Sequence, residues 1–367
     1  MNIRDLLRLS SVPRLGPLKI RALLNAFGTP EDVFRASPRE LIRVPGIDKK
    51  LASAVAHHDG RRYAANQLSQ LNRISGRIVT FWDAEYPDLL KKIYDPPPLI
   101  YVLGRLNPSD KLSLGVVGTR KPSLYGQSTT AAITTQLVQL GISIISGLAR
   151  GIDTAAHTAA LKANGRTIAV IGSGLDIPYP PENRGLMERI AEGGAVISEF
   201  PLGTTPEASN FPRRNRLISG LSLGTLVVES DEDGGAMITA STALDQNREV
   251  FAIPGLISEK RSVGPHKLIR DGRARLVHTI DDILSELQPF AELRAGKATA
   301  DFTPPELSLF EKKIFDTVTQ NPVHIDEIAE RSGLSTPDTL VTLLSLEFKG
   351  VVKQIPGKHF QKLEGYS

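Results

Sequence analysis

The 367-residue chain contains no cysteine. That excludes disulfides, thiolate zinc sites, iron–sulfur clusters and cysteine nucleophiles. Long apolar runs are missing as well. Stretches such as Ile142 to Ala149 fall far short of the ~20 residues that cross a bilayer, so no membrane partner is expected. Met1 to Asp5 carry an early acid and no run that could serve as a secretory leader, which makes a cytoplasmic protein the expectation. No Gly-x-x-x-x-Gly-Lys-[Ser/Thr] loop occurs, which removes P-loop ATP hydrolysis. The seven histidines show no metal-ligand spacing, no Gly-x-Ser-x-Gly elbow is present, and no nucleophile stands near a base. His157, on the helix that follows Asp153, reads as a packed residue rather than a base.

What is present is an ordinary globular composition, 41% hydrophobic and 23% charged, long enough for two or three domains. The net charge of +4 is unevenly spread. Residues 1–80 hold 14 Lys/Arg against 6 Asp/Glu, whereas residues 305–367 hold 7 against 9. A basic module on a neutral body points towards nucleic acid.

Residues 1–75 read as short helices with an internal echo. Val12-Pro13-Arg14-Leu15-Gly16 and Val44-Pro45-Gly46-Ile47-Asp48 each precede an amphipathic run. This is the pattern of a tandem helix-hairpin-helix (SAM-like) domain, whose hairpins offer backbone N–H groups to a phosphate. Arg14 and Asp48 stand where the motif has glycine, so a purely structural helical pair remains the other reading. Residues 76–287 alternate strand-like and helical runs, which is the signature of an α/β doubly wound, Rossmann-like parallel sheet. The strands expected are Ser113–Val117, Ser143–Ser146, Thr167–Ile171, Ala195–Ser198, Gly224–Val228 and Glu249–Ala252. Expected helices include Gly126–Leu140, Thr154–Ala163, Pro181–Glu192 and Met237–Asp245. A linker follows at 288–305. Residues 306–367 then give three helices and a hairpin across Ile355-Pro356-Gly357, the order of a winged helix. Its third helix is read as presenting Thr339, Thr342, Ser345 and Lys349 outward, with no arginine. Contact with protein is favoured there over contact with DNA.

In an open sheet the ligand lies beyond the carboxyl ends of the strands. Those ends carry Gly118, Thr119, Arg120 and Lys121, then Ser146 and Gly147, then Gly172 and Ser173. Small residues let a backbone approach and leave N–H donors at helix N-termini. Gly172-Ser173-Gly174 begins like a dinucleotide fingerprint but lacks its third glycine. A second basic cluster holds Phe211, Arg213, Arg214 and Arg216, and an aromatic among arginines suits a single strand. At least one of these arginines is expected to pair with an acid and pin a loop instead.

Six segments in order carry a resemblance. They are Val116 to Arg120, Ser146 to His157, Gly172 to Asn183, Ser198 to Gly203, Phe211 to Arg216 and Glu249 to Gly255. Together they resemble the bacterial DNA-processing DprA (Smf) family along essentially the whole chain. The resemblance implies a non-enzymatic protein without cofactor. It would bind single-stranded DNA during natural transformation, protect it, and load the RecA recombinase while displacing single-strand-binding protein. It further implies a homodimer through the Rossmann-like core, expected to survive removal of the flanking domains. Gly234 replaces a usual serine, and His266 a usual asparagine. The competing reading is a nucleoside-monophosphate phosphoribohydrolase-like enzyme. Of its Pro-Gly-Gly-x-Gly-Thr loop and downstream glutamate, only Gly224-Thr225 and Glu229 are present.

Overall fold

The computed structural model describes residues 1–287, 290, 307–349, 351–355 and 357–362. It divides into two compact units, Met1–Gly296 and Lys297–Ser367. The linker expected at 288–305 falls outside the described residues, apart from position 290.

The first unit begins with six helices: α1 (Ile3–Ser10), α2 (Pro17–Phe27), α3 (Pro30–Arg35), α4 (Pro38–Leu41), α5 (Lys49–Ala56) and α6 (Arg61–Arg73). The two hairpins leading into α2 and α5 match in backbone form. Arg14 and Gly46 both take left-handed φ angles, +66° and +83°. They differ in how the next helix is capped. Asp48 accepts the Leu51 N–H at 2.7 Å, so its own carboxylate fills the N-terminus of α5. Gly16 heads α2 and supplies no side chain to its amides.

The apolar core under these helices does not stop at residue 75. Leu6, Leu9, Leu23 and Leu71 belong to one buried cluster with Tyr101, Leu175, Leu186, Met187 and Leu202. Gln67 on α6 seals the join. Its side chain donates to the Leu202 carbonyl (3.1 Å) and accepts the Leu202 N–H (2.9 Å), as a neighbouring strand would.

The strands are β1 (Arg77–Thr80), β2 (Leu99–Gly104), β3 (Ser113–Val117), β4 (Ser143–Ser146), β5 (Thr167–Ile171), β6 (Ala195–Ser198), β7 (Gly224–Val227), β8 (Glu249–Ala252) and β9 (Arg275–Leu276). They form one sheet in the order β1-β2-β6-β5-β4-β3-β7-β8-β9. Every pairing from β6 to β9 is parallel; β1–β2 and β2–β6 are antiparallel. Five of the six expected strands coincide with the observed ones, and the sixth ends one residue earlier, at Val227. The extra strands β1, β2 and β9 escaped the sequence reading. β9 has two residues, and β2 follows Pro96-Pro97-Pro98, which reads as loop.

Helices cover the sheet: α7 (Asp88–Lys91), α8 (Leu124–Gln139), α9 (Ile152–Lys162), α10 (Arg184–Gly193), α11 (Asn210–Leu221), α12 (Gly235–Asp245), α13 (Val263–Arg270) and α14 (Asp281–Leu284). The chain runs from β3 outward through β4, β5 and β6, then returns to β7 on the other side of β3. The topological switch therefore lies between β3 and β7, and a crevice opens there.

The second unit contains α15 (Leu309–Thr317), β10 (Val323–His324), α16 (Ile325–Ser332), α17 (Thr336–Phe348), β11 (Val352–Ile355) and β12 (His359–Lys362). Its sheet order is β10-β12-β11, a winged helix. Pro356, which the sequence analysis places in the hairpin, is not among the described residues. The outward face assigned to the third helix needs correction at Thr339 and Ser345, while Lys349 is exposed. Thr339 is fully buried, and Ser345 and Lys349 both bond Glu311 on α15, at 2.8 and 2.7 Å. Leu340, Val341 and Leu344 are the helix's exposed large apolar positions. The helix is turned because the Glu311 carboxylate must be satisfied where it packs, and Ser345 and Lys349 lie one turn apart on that side.

These bonds, with the Lys349 ammonium foremost and the Ser308 N–H next, lower the Glu311 pKa from 4.5 to about 2. A carboxylate so depressed stabilises its unit above pH 4.5 and loses that contribution as pH falls towards 2. Hydrogen exchange of residues 307–349 in the full chain is expected to accelerate across that window. In Glu311→Gln the acceleration between pH 4.5 and 2 should be largely absent; an unchanged profile would contradict this role.

Candidate nucleic-acid interface

Each glycine-rich loop at the strand ends must find partners for its amides, and two of the loops find them internally. After β4, the Gly147 and Ala149 N–H groups donate to the Asp153 carboxylate at 3.1 and 3.3 Å. After β3, Ser123 at the start of α8 donates its N–H to the Glu229 carboxylate at 2.9 Å, and its hydroxyl bonds the same group. Acids of the chain thus occupy the first two anion seats of the sheet. The expectation that Ser146 and Gly147 offer free donors is corrected on this ground. The Ser146 hydroxyl, fully buried, donates to the Val116 carbonyl at 2.6 Å. The Ser173 hydroxyl donates to the Ile177 carbonyl at 2.7 Å. Gly172 lies beside the Phe211 ring, where a β-carbon would come within 3.5 Å.

A cleft of about 680 Å³ remains at the switch point between β3 and β7. Gly118, Thr119, Arg120 and Lys121 form one wall, Phe211 and Arg214 another, and Gly234, Gly235 and Ala236 the third. This third wall is the N-terminus of α12. Gly234 provides no capping side chain, and a β-carbon on Gly235 would meet open space. The positive end of a helix is left facing the cleft. Sequence reasoning missed this element. The signal is Gly234-Gly235 after β7, which the sequence reading takes only as a departure at Gly234 from the resembled pattern.

The basic cluster lies on α11, and the helical period sorts its members. Phe211, Arg214, Asn215 and Ile218 stand at i, i+3, i+4 and i+7 and line the cleft. Arg213 and Arg216 share a different face, towards Glu199. Arg216 donates to Glu199 Oε1 at 2.6 Å and to the Asp95 carbonyl at 2.7 Å. It is the arginine that pins loops, and its placement as a strand contact is corrected accordingly. Arg213 is half-exposed over the Phe200 ring, at 4.9 Å, outside the cleft lining. Burial raises the Glu199 carboxyl above its ordinary value, while Arg216 and Arg213 pull it down.

Arg214 is different. Only 5% exposed, it has its guanidinium 3.9 Å from Asp153, too far for a hydrogen bond, and its Nε has no partner. Burial pushes the Arg214 pKa down and the Asp153 pKa up, each opposed by the charge of the other. Arginine nevertheless keeps its proton in a protein, so a cation with spare donors sits at the base of the cleft. Arg120 lies 5.1 Å and Arg214 5.7 Å from the Phe211 ring centroid. Gly147 is required here: a β-carbon on it would fall on Arg214 Nη1.

Other candidate chemistry is closed off. His157 is fully buried with Nδ1 2.7 Å from the Thr167 hydroxyl, and burial lowers its pKa to about 3, leaving it neutral. Glu229, the glutamate that a nucleotide hydrolase would need, is committed to Ser123. Among the described residues no acid–histidine group has the form of a metal site, and no helix is long and apolar enough to cross a membrane.

Comparisons with known proteins agree with this architecture. A family profile described as DNA recombination-mediator protein A matches residues 77–288, with a DprA winged helix domain at 298–358 and a SAM-like helix-hairpin-helix tandem at 6–56. Protein Smf of Synechocystis is 35% identical, over 96% of this chain and 97% of its own. The X-ray structure of DNA processing protein A from Streptococcus pneumoniae superposes with a TM-score of 0.68 at 32% identity, covering 78% of this chain and 98% of that one. The protein of the same name from Helicobacter pylori, whose structure is described for its single-stranded DNA binding mode, gives 0.52 at 28% identity over 58% of this chain and 96% of its own. A basic switch-point cleft, a helical hairpin domain and a winged helix thus coincide in one chain, which belongs to the DprA (Smf) family of DNA recombination-mediator proteins.

Proposed function

We propose that this chain is a non-enzymatic, cytoplasmic DNA-processing protein that holds single-stranded DNA in the cleft between β3 and β7. On this reading it protects incoming strands during natural transformation and loads RecA on them in place of single-strand-binding protein. The observation that carries it is Arg214, a buried cation with unused donors at the base of a cleft whose rim bears Arg120, Lys121 and the open end of α12. Phosphates fit this chemistry, and Phe211 offers a ring against which a base can lie. The cleft spans few nucleotides, so two copies joined through the Rossmann-like core would multiply affinity for a long strand. The apolar face of α17, Leu340, Val341 and Leu344, suits a protein partner better than a DNA groove.

Arg120 is exposed on the rim. A charge-assisted hydrogen bond is worth about 1.5–3 kcal/mol, so Arg120→Ala is expected to weaken binding to an oligothymidine strand about tenfold to a hundredfold. The melting temperature should stay unchanged. Fluorescence anisotropy at fixed salt measures this, with duplex of equal length as the control. Tighter binding to duplex, or an Arg120→Ala variant that binds normally, would overturn the proposal.

A further inference from the structure

We propose that bases leaving the cleft stack on a raised apolar platform formed by Tyr125 with Leu124, Leu256 and Ile257. This rests on the single-stranded DNA reading and adds a second, base-contacting site to it. The four side chains are 51, 85, 71 and 94% exposed, in a chain that buries most of its large apolar residues. Two come from the first turn of α8 and two from the loop after β8. One bond joins the two segments: the Tyr125 hydroxyl donates to the Pro254 carbonyl at 2.9 Å. That bond holds the ring in place and leaves about half of it open to solvent.

The platform begins where the cleft ends. Lys121 belongs to the cleft wall and lies three residues before Leu124. Glu259, Lys260 and Arg261 also line the cleft, and the Glu259 N–H bonds the Leu256 carbonyl in a single turn (3.1 Å). A strand passing out of the cleft would keep cations beside its phosphates while meeting an aromatic and aliphatic surface with its bases, the combination used for strands without sequence readout. Charge separates this occupant from a second copy of the chain. An isologous contact centred on the patch would bring two copies of Lys121 together, whereas a polyanion neutralises that charge; Lys260 already faces Asp231 at 3.6 Å.

The test compares two probes by anisotropy, an oligothymidine strand and an abasic strand of equal length, so that phosphates are constant and bases are not. Stacking on one aromatic supports a loss of about fivefold or more on truncation. Tyr125→Ala is expected to show that loss on the thymidine strand and none on the abasic strand, with Tyr125→Trp restoring it. The double variant Leu256→Ser, Ile257→Ser, at an exposed loop tip, should act in the same direction if Tyr125→Ala proves unstable. Arg120→Ala should weaken both probes alike. If Tyr125→Ala leaves both probes unaffected, or weakens both equally, the platform is wrong while the cleft reading stands. Dissociation of a dimer by Tyr125→Ala in sedimentation would assign the patch to a second copy and overturn the proposal. An Arg120→Ala variant that binds both probes normally would fail the cleft reading itself.

Discussion

Arg214→Ala is expected to cost the protein both stability and its strand. Removing the guanidinium leaves the Asp153 carboxylate buried, with two backbone N–H groups and no cation. Breaking a buried pair in this way costs about 3–5 kcal/mol, a large share of a typical net stability. Urea unfolding should show it as a lower midpoint. The same substitution removes the donors at the base of the cleft, so affinity for oligothymidine should fall more than in Arg120→Ala. The two losses can be separated. In the double variant Asp153→Asn, Arg214→Met the orphaned charge is gone, and stability should largely return while binding does not. If the double variant regains the strand, Arg214 serves only to fold the loop after β4. If Arg214→Ala unfolds at the original midpoint, its pairing with Asp153 carries no weight.

Deleting residues 1–75 is expected to fail as a clean domain removal. Composition and motif place a boundary there, and a Rossmann-like core should stand alone. The apolar cluster ignores that boundary, and the deletion would uncover Tyr101, Leu175, Leu186, Met187 and Leu202 together. Burying one large apolar side chain is worth about 1.5–3 kcal/mol. Partial exposure of five therefore removes on the order of 5 kcal/mol. The Leu202 N–H and C=O also lose the amide of Gln67. The truncated chain should aggregate or unfold without cooperativity in calorimetry. A soluble truncated core melting like the full chain would sink this expectation. The charge of the helical domain is better probed on the surface, where α2 has an open N-terminus at Gly16 and α5 is closed by Asp48.

The sheet was legible because each buried parallel strand is a short apolar run ended by glycine, serine or proline, a local signal. The site was legible only in part. Arg120 and Phe211 follow from residue type and position. The role of Arg214, as against Arg213 and Arg216, depends on a helical phase that the run Phe211 to Arg216 does not announce. The sequence reading takes its three arginines as one basic cluster, yet they lie on different faces of α11. The same phase error set Thr339 and Ser345 on the outside of α17. Filling of the amides after β3 and β4 was illegible for another reason. Glu229 lies 106 residues from Ser123, and no spacing rule links them. Asp153 lies only six residues from Gly147, but the sequence reading takes it only as the residue before a helix.

Those two internal carboxylates bear on competition inside a cell. A doubly wound sheet with open glycine loops is a nucleotide receptor by default, and free nucleotides far outnumber strands of DNA. Asp153 and Glu229 take up amides of the loops after β3 and β4, so those loops present negative charge to a small phosphorylated metabolite in place of these donors. What remains is one broad cleft, shallow in its demands on any single phosphate and rewarding only a ligand that repeats. On the proposed function, the protein would discriminate against single nucleotides while holding a polymer made of the same units.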